Sequence, residues 1–390
     1  MTKKNFLYLI VFSSMVFVLY NFYRYTSIFS GWEYSDWLIN YQGGFTRRGL
    51  IGEILFQIYD LTTFKLSILI LVLVSSLYLV FYYFLFNSIK ILKISWLNLL
   101  VFLSPLFFLY PITNSKVTGR KEIMLIAFFS FLAFFLKKNN FKKTKNIILI
   151  FFPLIVLSHS GLIFYVPYFL TLLFLINYEK KFTFHLKEFF PVAVISFILL
   201  FLVTFFQGSE YHVKEICNSV KNFAAKNCGI GDQIGTLKLN IEYPLNEKNG
   251  MWGGYLFIYL TSLIVAFFPI SLIFFYSKFK SKHLKKINPL FIILIPFFSS
   301  IPLYYLAFDW GRYIYISYCC TFFLYIFCIK NNILKFDDKL IMFFEKKKIH
   351  VLFIIVVLVG YSFTWTVPYC CKTSFKLIFE KPIYNLIKNN

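Results

Sequence analysis

Long apolar runs recur along the chain, and they constrain its fold more than any other feature. A run of roughly 17–25 apolar residues is long enough to cross a bilayer as a helix. Such runs lie near residues 5–23, 66–86, 95–112, 122–136, 188–207, 254–276, 289–307, 313–329 and 350–368. Hydrophobic residues make up 59% of the 390 residues, and the mean hydropathy is +0.70, well outside the range of soluble domains. The sequence therefore predicts an all-α, polytopic integral membrane protein.

One further apolar stretch, residues 146–177, is too long for a single span and is interrupted by His159-Ser160-Gly161. Lysines lie on both sides of the stretch. If both flanks face the cytoplasm, as the positive-inside rule indicates, the stretch crosses twice as two short helices hinged at His159. This gives about eleven transmembrane helices in a single domain over residues 1–390. The N-terminus is then inside and the C-terminus outside.

The formal net charge of +23 could indicate a nucleic-acid partner. Most of the basic residues are lysines between apolar runs, however, and not a basic face with interleaved aromatic residues. We therefore predict a lipid bilayer as partner and no nucleic acid. All five arginines fall in segments predicted to lie outside, and arginine binds phosphate and carboxylate groups in a planar, bidentate manner. This asymmetry favours anion recognition on the outer face.

The first predicted outer loop, residues 24–65, contains an unusually polar stretch. Residues 31–53 hold three acids, two adjacent arginines and a cluster of glycines: Glu33, Asp36, Glu53, Arg47, Arg48, Gly43, Gly44, Gly49 and Gly52. Acids, arginines and flexible backbone together favour a site that binds an anion and moves protons. The alternative is a solvated loop whose tryptophans, Trp32 and Trp37, belong to an interfacial aromatic belt.

The residues after Arg48 predict an amphipathic helix on the outer membrane surface. Apolar side chains from Leu50 to Leu61 fill one arc at helical spacing, and polar side chains fill the opposite arc. We expect Thr46 to cap the helix, which places Arg47 and Arg48 in its first turn. Free backbone N–H groups and two guanidinium groups at that end favour a phosphate. Alternatively, the arginines anchor the helix to lipid headgroups.

Three further polar sites are predicted at the same membrane depth. Gly119-Arg120-Lys121-Glu122 forms a tight outer turn before the run at 122–136. His159 lies at the hinge of the stretch 146–177, and Asp309-Trp310-Gly311-Arg312 forms a turn before the run at 313–329. His159 could act as a general base or be a hydrogen-bonded structural residue. Asp309 and Arg312 could serve the site or simply pair with each other.

The longest predicted outer loop, residues 208–253, contains Cys217, Cys228 and a Gly-Ile-Gly-Asp turn at 229–232. An outside location permits oxidation, so a Cys217–Cys228 disulfide is expected. The outer His and Cys residues show no regular ligand spacing, and we predict neither a metal nor a cofactor. A divalent ion on Glu33 and Asp36 stays an open alternative.

The strings quoted above, from Asn40-Tyr-Gln-Gly-Gly-Phe-Thr-Arg-Arg-Gly to Asp309-Trp-Gly-Arg, resemble a set of multispanning proteins from bacterial O-antigen and capsule loci, the Wzy-type polysaccharide polymerases. The resemblance covers residues 31–312. Such polymerases often place essential arginines in large outer loops, whereas the arginines here lie in the first loop and in short turns.

The resemblance implies an inverting glycosyltransferase of the bacterial cytoplasmic (inner) membrane with its active site facing the periplasm. It would transfer a glycan from undecaprenyl pyrophosphate to a sugar hydroxyl of another lipid-linked repeat unit, with a chain-length regulator as a further partner. Arg47, Arg48, Arg120, Lys121 and Arg312 would then bind the donor pyrophosphate. Asp36, His159 or Glu33 would be the base, supported by Asp309, Glu122, Trp37 and Trp310.

Two other functions stay open. The acids and surface helix after the first span are similar to the layout of type C glycosyltransferases, in which an acid of the first outer loop is the base. Such an enzyme would use a polyprenyl-phosphate sugar to modify a glycan. A lipid-linked oligosaccharide flippase is the third possibility, although it would need charges facing a cavity in the middle of the membrane.

Overall fold

The computed structural model describes residues 2–28, 32–136, 140–180, 182–223, 228–230, 232–239, 252–281, 284–336, 350–370 and 376–377. Helices account for most of them. In chain order these are α1 Lys3–Ile28, α2 Trp32–Ser35, α3 Leu50–Thr62, α4 Leu66–Ile91, α5 Trp96–Phe102, α6 Tyr110–Thr113, α7 Glu122–Phe135, α8 Phe141–Ser158, α9 Val166–Ile176, α10 Phe182–Phe205, α11 Glu210–Ser219, α12 Trp252–Tyr276, α13 Phe291–Phe298, α14 Ile301–Leu306, α15 Trp310–Lys330 and α16 His350–Phe363.

Short 3₁₀-helices and strands complete the described structure. The 3₁₀-helices are Asp36–Leu38, Ser115–Val117, Ser160–Tyr165 and Gly235–Lys238. Strand β1, Lys278–Phe279, pairs antiparallel with β2, Leu334–Lys335, and Lys278 lies opposite Lys335. Strand β3, Trp365–Thr366, pairs antiparallel with β4, Lys376–Leu377, and Trp365 lies opposite Leu377.

Five helices among the described residues are long and apolar enough to cross a membrane: α1, α4, α10, α12 and α15. Shorter apolar helices occur at 122–135, 160–176 and 291–306. These helices support the prediction of an all-α membrane protein. The prediction of about eleven spans is not confirmed, because several of the apolar runs form helices shorter than a membrane span.

Two of the predicted spans are not single helices. The run 95–112 ends as helix α5 at Phe102 and turns through Ser104-Pro105, because proline disfavours the helical conformation of the residue before it. The run 289–307 breaks at Ser299-Ser300 between α13 and α14. By contrast, the predicted hinge at His159 is confirmed, since α8 ends at Ser158 and a 3₁₀-helix begins at Ser160.

The chain forms two compact units. One comprises residues 1–14, 85–117 and 244–390, and the other comprises residues 15–84 and 118–243. We refer to them as the C-terminal unit and the central unit.

Helix α15 is the buried core of the C-terminal unit. Every residue from Trp310 to Cys328 is buried. Its Tyr318 hydroxyl donates to the backbone carbonyl of Val101 at 2.7 Å, and its Tyr325 hydroxyl donates to Oδ1 of Asn98 at 2.7 Å. A non-helical segment inside an apolar protein needs such partners for its backbone. The hydroxyls of α15 therefore bind helix α5 itself, and Tyr318 satisfies a backbone carbonyl in the last turn of α5 before the break.

Aromatic packing between α7, α8 and α9 forms the core of the central unit. The ring of Phe169 lies 5.7 Å from Phe128, 5.2 Å from Phe129 and 5.0 Å from Phe152. Helix α10 buries little of its surface and exposes large side chains such as Phe197 and Phe205. Large apolar side chains on the exposed side of a long helix are what a lipid-facing helix requires. The central unit thus combines a rigid aromatic core with an apolar outer face.

Candidate active site

The first loop closes on itself immediately before α3. Glu53 in the first turn of α3 accepts the backbone N–H of Tyr41 through Oε2 at 2.9 Å. A Cβ on Gly52 would lie 1.9 Å from the carbonyl oxygen of Ile39, so only glycine permits the helix to approach the loop this closely. Glu53, which lies in the polar stretch, is therefore a structural acid.

Arg47 and Arg48 lie in a turn before α3, not in its first turn. The helix begins at Leu50 with Gly49 as its N-cap and no side-chain cap. Our expectation that Thr46 caps the helix is therefore wrong: Thr46 is fully buried and its hydroxyl makes no hydrogen bond in the described structure. The helix starts later because Gly49 and Gly52, not Thr46, determine how closely the backbone approaches the loop.

The two arginine side chains have no hydrogen-bond or ion-pair partner among the described residues, and the Nε atom of each is buried. The backbone N–H of Arg47 donates to the carbonyl oxygen of Phe206 at 2.9 Å, which ties the turn to the end of α10. Burial and the neighbouring charge of Arg48 lower the pKa of Arg47 to about 10. Both guanidinium groups are thus held in place by the backbone while their side chains stay available for an anion.

Asp36 and Lys121 form a buried ion pair. Nζ of Lys121 lies 3.7 Å from Oδ1 of Asp36, too long for a hydrogen bond, and 3.1 Å from the carbonyl oxygen of Arg48, to which it donates. Both side chains are almost completely buried. Neither carboxylate oxygen of Asp36 has a hydrogen-bond partner in the described structure. The Gly119–Glu122 turn and the first loop, which the sequence predicted separately, therefore meet here.

The charges around Asp36 set its protonation. Burial alone would raise the pKa of Asp36, but Lys121 and Arg48 outweigh it and hold the pKa well below its usual range. His159 and Arg120 act in the same direction. Burial and Arg48 lower the pKa of Lys121 to about 8, although Asp36 opposes this shift. Asp36 is consequently ionised at neutral pH, and the pKa of Lys121 lies close to neutral pH.

Trp37 and Glu33 hold the Gly119–Glu122 turn against the first loop. The fully buried indole of Trp37 donates through Nε1 to the carbonyl oxygen of Gly119 at 2.6 Å. Glu33 is buried, and a Cβ on Gly119 would lie 2.7 Å from the Cβ of Glu33. The structure thus gives Trp37 a packing role, while Trp32 stays 41% exposed.

His159 and Glu122 form a second buried pair. Nε2 of His159 lies 3.5 Å from Oε1 of Glu122, and both side chains are almost completely buried. Glu122 begins α7, and His159 follows α8, so two helix ends bring the pair together. A carboxylate beside an imidazole orients the ring and stabilises its protonated form. The sequence predicted both residues but not that they pair with each other.

Gln233 is a site residue that sequence reasoning missed. Its Oε1 accepts a hydrogen bond from Nη1 of Arg120 at 3.0 Å, and its backbone N–H donates to Oγ of Ser35 at 3.0 Å. It lies in the predicted 208–253 loop, of which residues 224–227, 231 and 240–251 are outside the described residues. The Cys217–Cys228 disulfide predicted for this loop is present. The Gly-Ile-Gly-Asp turn just before Gln233 was the only sequence signal near it.

Arg312, Asp309 and Trp310 belong to the C-terminal unit. The guanidinium of Arg312 is buried, and Nη1 lies 3.3 Å from Oδ2 of Asp309. Trp310 is buried beside the rings of Tyr259 and Tyr304, and its indole donates to the carbonyl oxygen of Ala307 at 3.1 Å. We expected Arg312 in a turn, but it lies within α15, because that helix begins at Trp310. The predicted pairing with Asp309 is confirmed.

No group of three or more His, Cys, Asp or Glu side chains that could hold a metal ion occurs in the described part of the chain. No protein-family model, curated protein or solved structure matches the chain.

Proposed function

We propose that this membrane protein is an inverting glycosyltransferase that polymerises O-antigen or capsule repeat units carried on undecaprenyl pyrophosphate. One observation carries the proposal: the guanidinium groups of Arg47 and Arg48 have no partner among the described residues, and they belong to a turn whose Arg48 carbonyl accepts Lys121, the buried ion-pair partner of Asp36. The residues come from sequence positions more than seventy apart and converge in the central unit. Buried charges without hydrogen-bond partners are costly unless a ligand satisfies them, and a pyrophosphate offers acceptors for guanidinium groups.

The proposed topology has about eleven spans, with the N-terminus in the cytoplasm and the site at the outer face of the bacterial inner membrane. It rests on the positive-inside rule, because lysines flank both sides of residues 146–177 and all five arginines fall in segments assigned to the outside. Fusion of a reporter that is active only on one side of the membrane, placed after residue 136 and after residue 208, tests this orientation. Activity outside for the first fusion would overturn it.

In the proposed reaction, Arg47 and Arg48 bind the donor pyrophosphate, and Arg120 and Lys121 add positive charge. The acceptor hydroxyl oxygen attacks the anomeric carbon on the face opposite the pyrophosphate. The bond from the anomeric carbon to the pyrophosphate oxygen breaks, and undecaprenyl pyrophosphate leaves with the negative charge. Fixed positive groups stabilise this charge as it develops. The proton of the acceptor hydroxyl goes to a base.

The His159–Glu122 pair fits the role of that base better than Asp36 does. A general base works best when its pKa lies near the operating pH, whereas the pKa of Asp36 is held far below that by Lys121 and Arg48. His159 has a carboxylate partner that stabilises the imidazolium once the proton has arrived. We therefore assign proton transfer to His159 and electrostatic stabilisation of the surrounding cations to Asp36.

A type C glycosyltransferase is the second candidate function, and Asp36 is the observation that favours it. Both carboxylate oxygens of Asp36 are buried without a hydrogen-bond partner in the described structure. Each can therefore accept the proton of a substrate hydroxyl. Asp36→Asn separates the two assignments of the base. It abolishes turnover if Asp36 is the base, and it mainly disturbs stability and donor binding if His159 is the base.

Binding of the donor pyrophosphate by Arg312, supported by Asp309 and Trp310, stays a prediction from the sequence. Nη1 of Arg312 already has a carboxylate at 3.3 Å, so a second role requires the guanidinium to bind a phosphate oxygen at the same time. A chain-length regulator is a proposed partner, because a polymerase alone does not fix the number of repeats.

The test of the proposed function is deletion of the gene followed by gel analysis of surface polysaccharide. If the protein is a polymerase, the deletion strain carries single repeat units on the cell surface. If it is a side-chain transferase the repeats are truncated, and if it is a flippase there are none. Complementation with Arg48→Met should then fail to restore long chains. Full restoration by Arg48→Met, with normal protein levels, would contradict the proposed role of the arginine turn.

A further inference from the structure

Gln233 is a buried amide held at three points. Its side chain is 8% exposed, its Oε1 accepts from Arg120, and its Nε2 donates to Oγ1 of Thr236 at 3.2 Å. Its backbone N–H donates to Oγ of Ser35, which lies one residue before Asp36. The position of the amide oxygen is therefore determined from both sides.

The segment that carries Gln233 is itself fixed to α11. The Cys217–Cys228 disulfide joins its start to the helix. Oδ2 and Oδ1 of Asp232 accept the backbone N–H groups of Gly229 and Gly235 at 3.0 and 2.8 Å. Gly235 has space for no side chain, because a Cβ would lie 2.3 Å from the carbonyl oxygen of Gly229. These contacts restrict the backbone on both sides of Gln233, so its side chain has a fixed starting position.

Arg120 depends on this contact. Its side chain is 4% exposed, its Nη1 donates to Gln233, and its Nε has no hydrogen-bond partner in the described structure. A carboxylate partner would orient the guanidinium and also neutralise it. An amide oxygen orients it by a charge-assisted hydrogen bond and leaves the positive charge in place.

We infer that Gln233 is a positioning residue. The disulfide-closed turn of residues 228–230 and 232–239 presents it to Arg120, so that the charge of Arg120, which Gln233 orients without neutralising, acts on the donor pyrophosphate. The inference rests on the proposed function, since it needs Arg120 to act on a pyrophosphate. It also assigns a role to the 208–253 loop, which otherwise has none in the reaction.

The experiment measures equilibrium binding of radiolabelled undecaprenyl pyrophosphate to the purified full chain in lipid nanodiscs. Gln233→Met removes the acceptor at nearly constant volume and should weaken binding roughly tenfold to a hundredfold, the range for a lost hydrogen bond to a charged group. Arg120→Met should weaken it at least as much. The double variant should bind no more weakly than Arg120→Met alone, because Gln233 acts only through Arg120.

Thr236→Val is the comparison variant, since it removes two hydrogen bonds of Gln233, the one from its Nε2 and the one to its carbonyl oxygen, and leaves Oε1 on Arg120. It should weaken binding less than Gln233→Met does. Gln233→Glu is the second variant, because its carboxylate keeps the contact and the fold but cancels the charge of Arg120. It should also bind more weakly. Normal binding by both Gln233 variants with weak binding by Arg120→Met would overturn the inference and leave the proposed function intact. Normal binding by Arg120→Met would overturn both.

Discussion

Nε2 of His159 and Oε1 of Glu122 lie 3.5 Å apart in a buried part of the central unit, although the two residues are separated by the whole of α7 and α8. The start of one helix and the end of another bring them together. The same turn that supplies Glu122 also supplies Lys121 to Asp36 and Arg120 to Gln233. Four consecutive residues, Gly119 to Glu122, thus connect the first loop, the His159 hinge and the disulfide-closed turn.

The pairing of His159 with Glu122 predicts non-additive loss of turnover. His159→Gln should lower kcat roughly 10²- to 10⁴-fold, the range for loss of a general base. Glu122→Gln should also lower kcat, because the neutral amide no longer stabilises the imidazolium. The double variant should be no slower than His159→Gln. Elongation of lipid-linked repeats by purified protein in vesicles measures kcat. Multiplied effects in the double variant would show that the two residues act separately.

The buried Asp36–Lys121 pair predicts a stability that depends on both partners. Lys121→Met leaves the carboxylate of Asp36 buried without its nearest cation, which costs about 3–5 kcal/mol when a buried ion pair loses one member. Asp36→Asn combined with Lys121→Met should recover most of that loss. Thermal unfolding of the full chain in detergent checks the series. Equal Tm values for Lys121→Met and wild type would show that the pair contributes nothing.

The lowered pKa of Lys121, about 8, predicts the pH dependence of donor binding. Below pH 8 the ammonium group is protonated and adds positive charge beside Arg48, whereas above pH 8 it is increasingly neutral. The affinity for undecaprenyl pyrophosphate should therefore fall as the pH rises through 8. The fall should continue to a higher pH in the complex, because a bound anion raises the pKa of the lysine. Arginine stays charged in this pH range, so Lys121→Arg should remove the fall in affinity above pH 8.

The guanidinium of Arg48 has no partner among the residues that the structure describes, and this predicts sensitivity to a substitution that keeps the charge. Arg48→Lys should weaken binding of undecaprenyl pyrophosphate roughly tenfold, since lysine lacks the planar fork that binds two phosphate oxygens. Arg24→Lys is the matched control, because Arg24 is exposed near the end of α1. Identical losses in the two variants would indicate a general effect of surface charge on binding.

The close approach of Gly52 to Ile39 predicts a large difference between two Gly-to-Ala changes. Gly52→Ala places a Cβ 1.9 Å from a backbone oxygen and should lower the free energy of unfolding by about 3 kcal/mol. Gly360→Ala meets nothing within 4 Å and lies in helix α16, where alanine is favoured over glycine by roughly 0.5–1 kcal/mol. Thermal unfolding should show a lower Tm for the first variant and an equal or higher Tm for the second.

Sequence reasoning predicted the elements that local signals specify. Apolar runs predicted α1, α4, α10 and α12, and the polar interruption at His159 predicted the break between α8 and the following 3₁₀-helix. The amphipathic pattern after Arg48 predicted α3, although its start was misplaced because the backbone approach at Gly52, not a side-chain cap, determines it.

Pairings across the chain were not predictable in the same way. Periodicity places Glu122 and His159 at helix ends, but which ends meet depends on how the helices pack. Gln233 carries no charge and follows an ordinary turn, so composition gave no reason to select it. The break of the run 95–112 was hidden because its residues are as apolar as those of a span. The hydroxyls of α15 that bind α5 just before the break lie more than two hundred residues away.

The closed first loop has a consequence for sequence variation among any relatives that share this fold. Gly52 lies against Ile39, and Glu53 binds the backbone of Tyr41, so the chain between them forms a ring of fixed circumference. One added or deleted residue would break both contacts at once, whereas an exchanged side chain within the ring need not. Alignments of such relatives should show substitutions between residues 39 and 53 but a constant spacing, which makes loop length a more diagnostic signature than the identity of its residues.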